Sequence, residues 1–185
     1  MRVFIGLAIP EPVRKRFQAL FEKAEGKPSD LRLTAPEYWH CTLAFLGEID
    51  EGHIDALKHL IAVAAERPPG GSFSFRNLET FPPKRPSYLI VRAEPNPKNE
   101  WMSFIDRMRD MISVVSPNID RKPWIPHVSI GRAKKGKLFT RWISEFEPFD
   151  WQPESICLVK SQLTRAGSVY TDLCCFPMTS SEKSP

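Results

Sequence analysis

Two stretches of this sequence share one pattern: Trp39-His40-Cys41-Thr42-Leu43-Ala44-Phe45-Leu46-Gly47 and Pro126-His127-Val128-Ser129-Ile130-Gly131-Arg132. Each contains, in order, a histidine, an apolar residue, a hydroxyl residue and a second apolar residue. Runs of this composition bounded by Gly or Pro are typical of strands. Residues two apart on a strand point to the same face. We therefore expect the histidine and the hydroxyl of each motif to share one face, with the apolar residues turned to the core.

The side chains on that face suit phosphate chemistry. An imidazole transfers protons near neutral pH, and a hydroxyl donates a hydrogen bond to a phosphate oxygen without adding charge. If the pair His40 and Thr42 faced the pair His127 and Ser129, the two pairs could hold one phosphate between them. One imidazole would then act as the base and the other as the acid.

Coincidence is the alternative, because short motifs often occur by chance. The chain has four histidines, and two of them carry the pattern. The other two, His53 and His59, lie on the polar side of a predicted helix, where we expect them to face solvent.

A basic stretch surrounds the second motif. Between residues 121 and 141 there are seven cations and no acid: Arg121, Lys122, Arg132, Lys134, Lys135, Lys137 and Arg141. Such a stretch attracts an anionic substrate, although a solvated basic loop would have the same composition. Arg132 follows Ser129 by three residues, and its guanidinium could bind a phosphate through two hydrogen bonds.

The rest of the chain predicts short mixed elements. Its 18 prolines against 9 glycines are roughly twice the usual proline content of about 5% and argue against long helices. Hydrophobic periodicity gives the order β-α-β-α-β-β-α-β-(α)-β-β, hence the α+β class with largely antiparallel sheets. The predicted strands span 2–9, 39–46, 72–81, 87–93, 126–133, 155–163 and 168–176. The predicted helices follow residue 10, residue 51 and residue 100, with a short helical or irregular stretch over 138–146.

Composition limits the remaining possibilities. With 185 residues and a net charge of +4, we expect one domain over 1–178 and a disordered polar tail over 179–185. The apolar start at 3–9 is too short to span a membrane and lacks a signal cleavage site, so we expect a cytoplasmic protein. Neither motif histidine has a carboxylate nearby that completes a metal site, and no nucleotide-binding glycine loop is present, so no metal or cofactor is expected.

The four cysteines, Cys41, Cys157, Cys174 and Cys175, form no Cys-x-x-Cys pair. Adjacent Cys174 and Cys175 cannot bridge each other without strain. We expect all four to be reduced, buried small residues in a reducing compartment.

The paired His-x-Thr/Ser motifs resemble those of the two-histidine phosphoesterase superfamily, in particular its RNA 2′,3′-cyclic phosphodiesterase or 2′-5′ RNA ligase-like branch. The resemblance covers about residues 2–178. It includes an opening strand at 2–7 and a C-terminal hairpin signature in Ser161-Gln162-Leu163 with Gly167 and Tyr170. Ser129 departs from the commoner threonine but keeps the hydroxyl. Trp39 replaces a smaller residue and either shapes the cleft or packs in the core.

The resemblance implies two pseudo-twofold-related lobes, each a mainly antiparallel sheet with helices outside, and an active site in the central cleft. It implies a metal-free reaction on an RNA or nucleotide with a 2′,3′-cyclic phosphate end. His127 would activate water, and His40 would protonate the departing 3′ oxygen to leave a 2′-phosphate, or the two roles could be reversed. Thr42, Ser129 and Arg132 would hold the phosphate oxygens.

Several alternatives stay open. Phe4 and Tyr170 either contact the nucleoside or belong to the core. The same site could run backward and join RNA ends through a 2′-5′ bond. The protein could instead be a nucleotide- or RNA-binding module with little catalysis, or a phosphodiesterase for a small non-RNA cyclic phosphate or a 2′-5′ oligonucleotide. We expect a monomer without an obligate protein partner.

Overall fold

Nine strands and three α-helices are present within residues 1–22, 30–84, 86–133, 147–164 and 167–178, which the computed structural model describes. The strands are β1 (Arg2–Ala8), β2 (Arg32–Leu33), β3 (His40–Glu48), β4 (Ser72–Phe81), β5 (Tyr88–Asn96), β6 (His127–Arg132), β7 (Phe149–Trp151), β8 (Ser155–Thr164) and β9 (Gly167–Pro177). The helices are α1 (Glu11–Glu22), α2 (Ile54–Ala65) and α3 (Lys98–Ile112), with single 3-10 turns at Pro36–Tyr38 and Glu51–His53.

The strands form one antiparallel sheet in the order β7-β4-β5-β6-β3-β1-β8-β9, and β2 pairs with β6 outside this path. The order is symmetric about the boundary between β6 and β3. We call β3, β1, β8 and β9 the first half, and β6, β5, β4 and β7 the second half. The predicted α+β class with two related halves is confirmed, and the two halves share a continuous sheet.

The junction between the halves is short. Cys41 on β3 pairs with Val128 on β6. Three residues after Val128, strand β6 pairs with β2 instead, through Gly131 and Arg132. The carbonyl groups of β3 then find partners elsewhere: Trp124 Nε1 donates to the Thr42 oxygen at 2.8 Å. Phe45 O likewise accepts from the Asp120 N–H at 3.0 Å, so carbonyl groups of β3 that β6 does not pair still have hydrogen-bond partners, as buried backbone groups require.

Helical periodicity explains the packing behind the sheet. In α2 the buried residues are Leu57, Ile61 and Ala65, spaced four apart on one helix face. The Asp50 carboxylate accepts a hydrogen bond from the Gly52 N–H at 2.8 Å and caps the turn before α2.

Trp39 is 4% exposed and packs against Phe17, with ring centroids 5.7 Å apart. Trp39 therefore packs in the core, and it also lines a cavity beside His40.

Two elements were not predicted. Strands β2 and β7 contain only two and three residues, too few for a periodic pattern. The predicted stretch 138–146 and the tail 179–185 lie outside the described residues, so the domain boundary at 178 stays a prediction. No helix among the described residues is long and apolar enough to cross a membrane.

The prediction of four reduced, buried cysteines is wrong. Cys157 and Cys175 form a disulfide, and they are directly paired residues of β8 and β9. Cys175 is exposed, Cys174 is half-buried and only Cys41 and Cys157 are buried. Hairpin register decides which cysteines meet, and the spacing of cysteines in the sequence does not contain that register.

Candidate active site

Each motif shows the predicted alternation of side chains. His40, Thr42, His127 and Ser129 are half-buried on the open face of the sheet, while Cys41, Leu43, Val128 and Ile130 are at most 1% exposed. The other two histidines, His53 and His59, are exposed as predicted. The structure therefore brings together the four residues on which the phosphate interpretation depends.

The pairing of Cys41 with Val128 fixes how the two motifs face each other. In an antiparallel pair, one step along one strand is matched by one step back along the other. Thr42 therefore lies level with His127, and His40 lies level with Ser129. Each imidazole is a neighbour of the hydroxyl from the other motif.

One-residue register shifts place a third residue of each motif on the same face. On β6, Ile130 has no partner on β5, because Ser129 pairs with Ile90 and Gly131 with Leu89. An extra residue reverses the alternation beyond it. Arg132 therefore comes to the face of His127, and it is exposed.

The equivalent shift on β3 leaves Leu43 unpaired between Thr42 and Ala44. It brings Phe45 to the face of His40, where the ring is 45% exposed. Phe45 thus occupies the position in the first half that Arg132 occupies in the second. The sequence analysis missed Phe45, although the matching spacing of His40–Phe45 and His127–Arg132 was a usable signal.

Both imidazoles are held in the same way. The Nδ1 atom of His40 is 2.8 Å from the Tyr38 carbonyl oxygen, and that of His127 is 2.7 Å from the Ile125 carbonyl oxygen. A carbonyl only accepts, so each Nδ1 carries the proton. The Nε2 atom of each neutral ring is then left with a lone pair for chemistry.

Aromatic rings support both histidines. The Phe4 ring centroid is 4.4 Å from that of His40, and the Tyr170 ring meets His40 edge-on at 5.0 Å. Phe81 stacks on His127 at 5.8 Å. Phe4 is 1% exposed, so its ring is covered and supports His40 instead of offering a surface to a nucleoside. Tyr170 is half-buried and borders the open face.

Burial favours the neutral form of both imidazoles. It lowers the pKa of His40 to about 4, against the opposing effect of the hydrogen bond to Tyr38. Burial also lowers the pKa of His127. Arg92 lowers this pKa further, while Glu79 raises it. In the free protein at neutral pH, both Nε2 atoms can therefore accept a proton.

The second half carries an ion pair that the sequence analysis missed. Arg92 lies opposite His127 on the neighbouring strand, and its Nη2 donates to Glu79 Oε2 at 2.8 Å. Of the predicted basic stretch, Arg121 pairs with Asp110 and Lys122 with Asp120. Arg132 lies over the Tyr88 ring, 5.3 Å from its centroid. The other four cations of the stretch lie outside the described residues.

A cavity of about 230 Å³ adjoins His40 on the side away from His127, over β1, β8 and β9. A larger groove of about 400 Å³ lies near Arg67 and Arg107 and touches neither motif histidine. Among the described residues, Cys157, Asp172 and Cys175 have ligand atoms close enough for a metal ion. The disulfide engages both sulfur atoms, which leaves the Asp172 carboxylate alone.

Comparison with known proteins agrees with this geometry. Residues 9–165 match the family model described as the 2′-5′ RNA ligase superfamily. An RNA 2′,3′-cyclic phosphodiesterase of Methanothermobacter thermautotrophicus is 25% identical over 180 residues, covering 94% of this chain and 96% of that protein. TT0787 of Thermus thermophilus has a similar fold, with a TM-score of 0.77 and 24% identity over 96% of this chain and 98% of the other. E. coli LigT complexed with NADP⁺ has a TM-score of 0.75 and 20% identity over 97% of this chain and 98% of the other.

Proposed function

This chain belongs to the 2′-5′ RNA ligase superfamily, and we propose that it hydrolyses the 2′,3′-cyclic phosphate end of an RNA or nucleotide to a 2′-phosphate without a metal ion. One observation carries the proposal: two neutral imidazoles with available Nε2 atoms, each level with the hydroxyl of the other motif. The name of the M. thermautotrophicus relative, RNA 2′,3′-cyclic phosphodiesterase, supports the substrate class.

The reaction requires one proton to be removed and one to be supplied. His127 Nε2 takes a proton from water, whose oxygen attacks phosphorus while the bond from phosphorus to the 3′ oxygen breaks. His40 donates a proton from Nε2 to the departing 3′ oxygen. The product is a 2′-phosphomonoester. His127 then releases its proton to solvent, and His40, now neutral, takes up a proton again when the next anionic substrate binds.

His40 must be protonated to act as the acid, although its pKa in the free protein is about 4. The bound phosphodiester is an anion, and an adjacent negative charge raises the pKa of an imidazole. Substrate binding therefore brings a proton to His40. His127 stays neutral, because burial lowers its pKa and Arg92 lowers it further, against the opposing effect of Glu79.

Negative charge builds on the phosphate oxygens as water attacks. The Thr42 and Ser129 hydroxyls donate hydrogen bonds to these oxygens from either side. Both hydroxyls are in position before the reaction begins, so they need no reorganisation as the charge develops. The Arg132 guanidinium adds a positive charge on the same face. The protein thus offers a group for each proton and each charge in the reaction.

Hydrolysis of a nucleoside 2′,3′-cyclic phosphate in EDTA tests this proposal, with the wild type compared with His40→Ala and His127→Ala. We expect the wild type to form the 2′-phosphate and each variant to lose about 10²–10⁴ in rate. His59→Ala is the matched control, since His59 is exposed. Formation of the 3′-phosphate would contradict the regiochemistry, and loss of activity in EDTA would contradict the metal-free step.

Two other outcomes favour other functions. Folded wild type that binds nucleotide but releases no product would indicate a binding module. Ligation of a 2′,3′-cyclic end to a 5′-hydroxyl would show the reverse reaction, in which the attacking group is a hydroxyl in place of water. We expect hydrolysis to dominate because water is the more abundant nucleophile.

A further inference from the structure

The floor beside His40 consists of small residues, whereas the matching positions of the second half carry large ones. Strand register gives the equivalences. Gly6 lies opposite Thr42, Ala8 opposite His40, and Cys157 opposite Gly6 on the next strand. In the second half the same three positions are Ile90, Arg92 and Glu79.

This difference leaves space in one half. The cavity of about 230 Å³ lies above Gly6, Ala8 and Cys157 and is open beside His40. At the equivalent place in the second half, Ile90 is fully buried and Arg92 donates a hydrogen bond to Glu79 at 2.8 Å. A substrate that needs room next to the phosphate finds it beside His40.

We propose that this cavity is the pocket for the nucleoside base, and that Asp172 at its rim selects bases that present N–H donors. The proposal rests on the proposed function and adds the orientation of the substrate. In an in-line displacement, water and the departing oxygen lie on opposite sides of phosphorus. The departing oxygen belongs to the ribose that carries the base, so the base and the acid lie on the same side.

This orientation supports the roles proposed above for the two histidines. His40 adjoins the pocket, so it lies beside the ribose oxygen that departs and acts as the acid. His127 lies on the side that Ile90 and the Arg92–Glu79 pair fill, where a water molecule is small enough to enter. Reversed roles would put the base of the nucleotide against this filled side.

The polar groups of the pocket match a base more closely than a phosphate. Its lining includes the carboxylates of Glu37 and Asp172 and one guanidinium, that of Arg14. Carboxylates repel phosphate and accept hydrogen bonds from N–H groups. Asp172 is an exposed residue at the cavity rim, and partial burial of its carboxyl group raises its pKa.

Aromatic residues enclose the same space. Tyr38 and Tyr170 both line the cavity, and their rings meet edge-to-face at 5.7 Å. A base can stack on or pack against such rings whatever its identity. Selectivity then depends on Asp172. Guanine presents N1–H and N2–H side by side, the arrangement that one carboxylate accepts with both oxygens, whereas uracil presents one N–H between two carbonyl groups.

The first test compares kcat/KM for the four nucleoside 2′,3′-cyclic phosphates. We expect guanosine to exceed uridine by about tenfold or more, since a two-bond contact to a base edge discriminates by about that factor. Asp172→Asn should lower kcat/KM much more for the guanosine than for the uridine substrate, and so remove most of this preference. Asp55→Asn, which changes an exposed carboxylate on α2, should leave the preference intact.

A second variant fills the pocket. Ala8→Leu adds bulk opposite His40, and we expect it to raise KM for all four nucleotides. Ribose 2′,3′-cyclic phosphate, which has no base, should show a much smaller rise in KM in this variant than the four nucleotides do. That substrate reports whether the catalytic groups remain intact, and an equal loss on it would contradict the pocket assignment.

The outcomes separate this inference from the proposed function. If wild type hydrolyses all four nucleotides equally and Asp172→Asn changes none of them, the pocket assignment is wrong and the phosphodiesterase stands. If wild type hydrolyses none, the phosphodiesterase is wrong. In that case calorimetric binding of guanosine and uridine 2′-phosphates to wild type and Asp172→Asn still decides the pocket: a guanosine preference lost in the variant supports it, and equal affinities overturn it.

Discussion

The two halves of the sheet share one backbone arrangement and differ in the side chains around each motif. In both, a histidine donates through Nδ1 to the carbonyl two residues before it, a hydroxyl follows, and a register shift turns the next side chain to the same face. In the first half that side chain is Phe45, and in the second it is Arg132. The shared backbone arrangement makes two equivalent proton-transfer groups, and the surrounding side chains make them different.

This difference has a chemical consequence. A reaction that removes one proton and supplies another needs one base and one acid. A site with two identical halves would not determine which histidine is the base and which is the acid. Charge distinguishes the halves here, because the ion pair of Arg92 and Glu79 stands beside His127, while Gly6 and Ala8 leave open space beside His40. Variants that exchange or remove these features test whether the assignment is correct.

The largest expected effect separates the acid from the base. An aryl phosphodiester releases p-nitrophenolate, which needs no proton to depart. We expect His40→Ala to recover most of the wild-type rate on this substrate, although it loses about 10²–10⁴ on a cyclic phosphate. His127→Ala should remain slow on both, because water must still be activated. Absorbance of the released phenolate gives the rates.

The opposite recovery would reverse the assignment of the two histidines. Recovery by neither variant would show that both are needed to bind or orient the phosphate. Circular dichroism of each variant excludes loss of fold as the cause.

The hydroxyls should show the equivalence of the halves. Thr42→Val and Ser129→Ala each remove one donor to the phosphate, and we expect each to lower kcat by about 10². Thr42→Ser and Ser129→Thr keep the hydroxyl and should stay within about threefold of wild type. Steady-state kinetics on one cyclic nucleotide checks all four variants. Unequal losses in the two removals would mean that the phosphate lies closer to one half.

Arg132 and Phe45 occupy equivalent positions with different chemistry, so they should respond differently to salt. Arg132→Ala removes a cation on the substrate face, and the slope of log kcat/KM against log salt should fall by about one on a short RNA with a cyclic end. Phe45→Ala should leave that slope unchanged. Arg121→Ala is the control, because Arg121 is paired with Asp110. A slope that changes equally in Arg121→Ala would show a general charge effect.

The part of this architecture that depends on local pattern is visible in the sequence. Alternation with a period of two places Cys41 and Val128 in the core and the motif histidines on the open face, and four residues per motif are enough to show it. Helix α2 follows from its apolar spacing in the same way. The class and the paired site were therefore predictable.

The parts that depend on register were not predictable. Strict alternation would turn Arg132 away from His127, and only the unpaired Ile130 reverses this. The Arg92–Glu79 pair and the Cys157–Cys175 disulfide both join residues of neighbouring strands. Which residues meet across two strands is fixed by the turn and by the buried face, and a single strand does not contain that information.

The smallest expected effect concerns the ion pair beside His127. Glu79 raises the pKa of His127 and Arg92 lowers it, so Glu79→Gln should lower that pKa further. A base works only when neutral, and kcat/KM falls as the pH drops through its pKa in the free enzyme. The acid limb of the pH profile should therefore move to lower pH, with a loss of less than about tenfold at the plateau because the base is weaker.

Glu94→Gln is the matched control, since Glu94 pairs with Arg76 at 3.5 Å near the far end of β5. It should leave the acid limb in place. A shift of the limb to higher pH in Glu79→Gln would mean that His127 loses protection from water when the pair breaks, so that the carboxylate acts through packing instead of through its charge. An unchanged limb would mean that the acid limb reports His40, and that the two halves differ in shape more than in electrostatics.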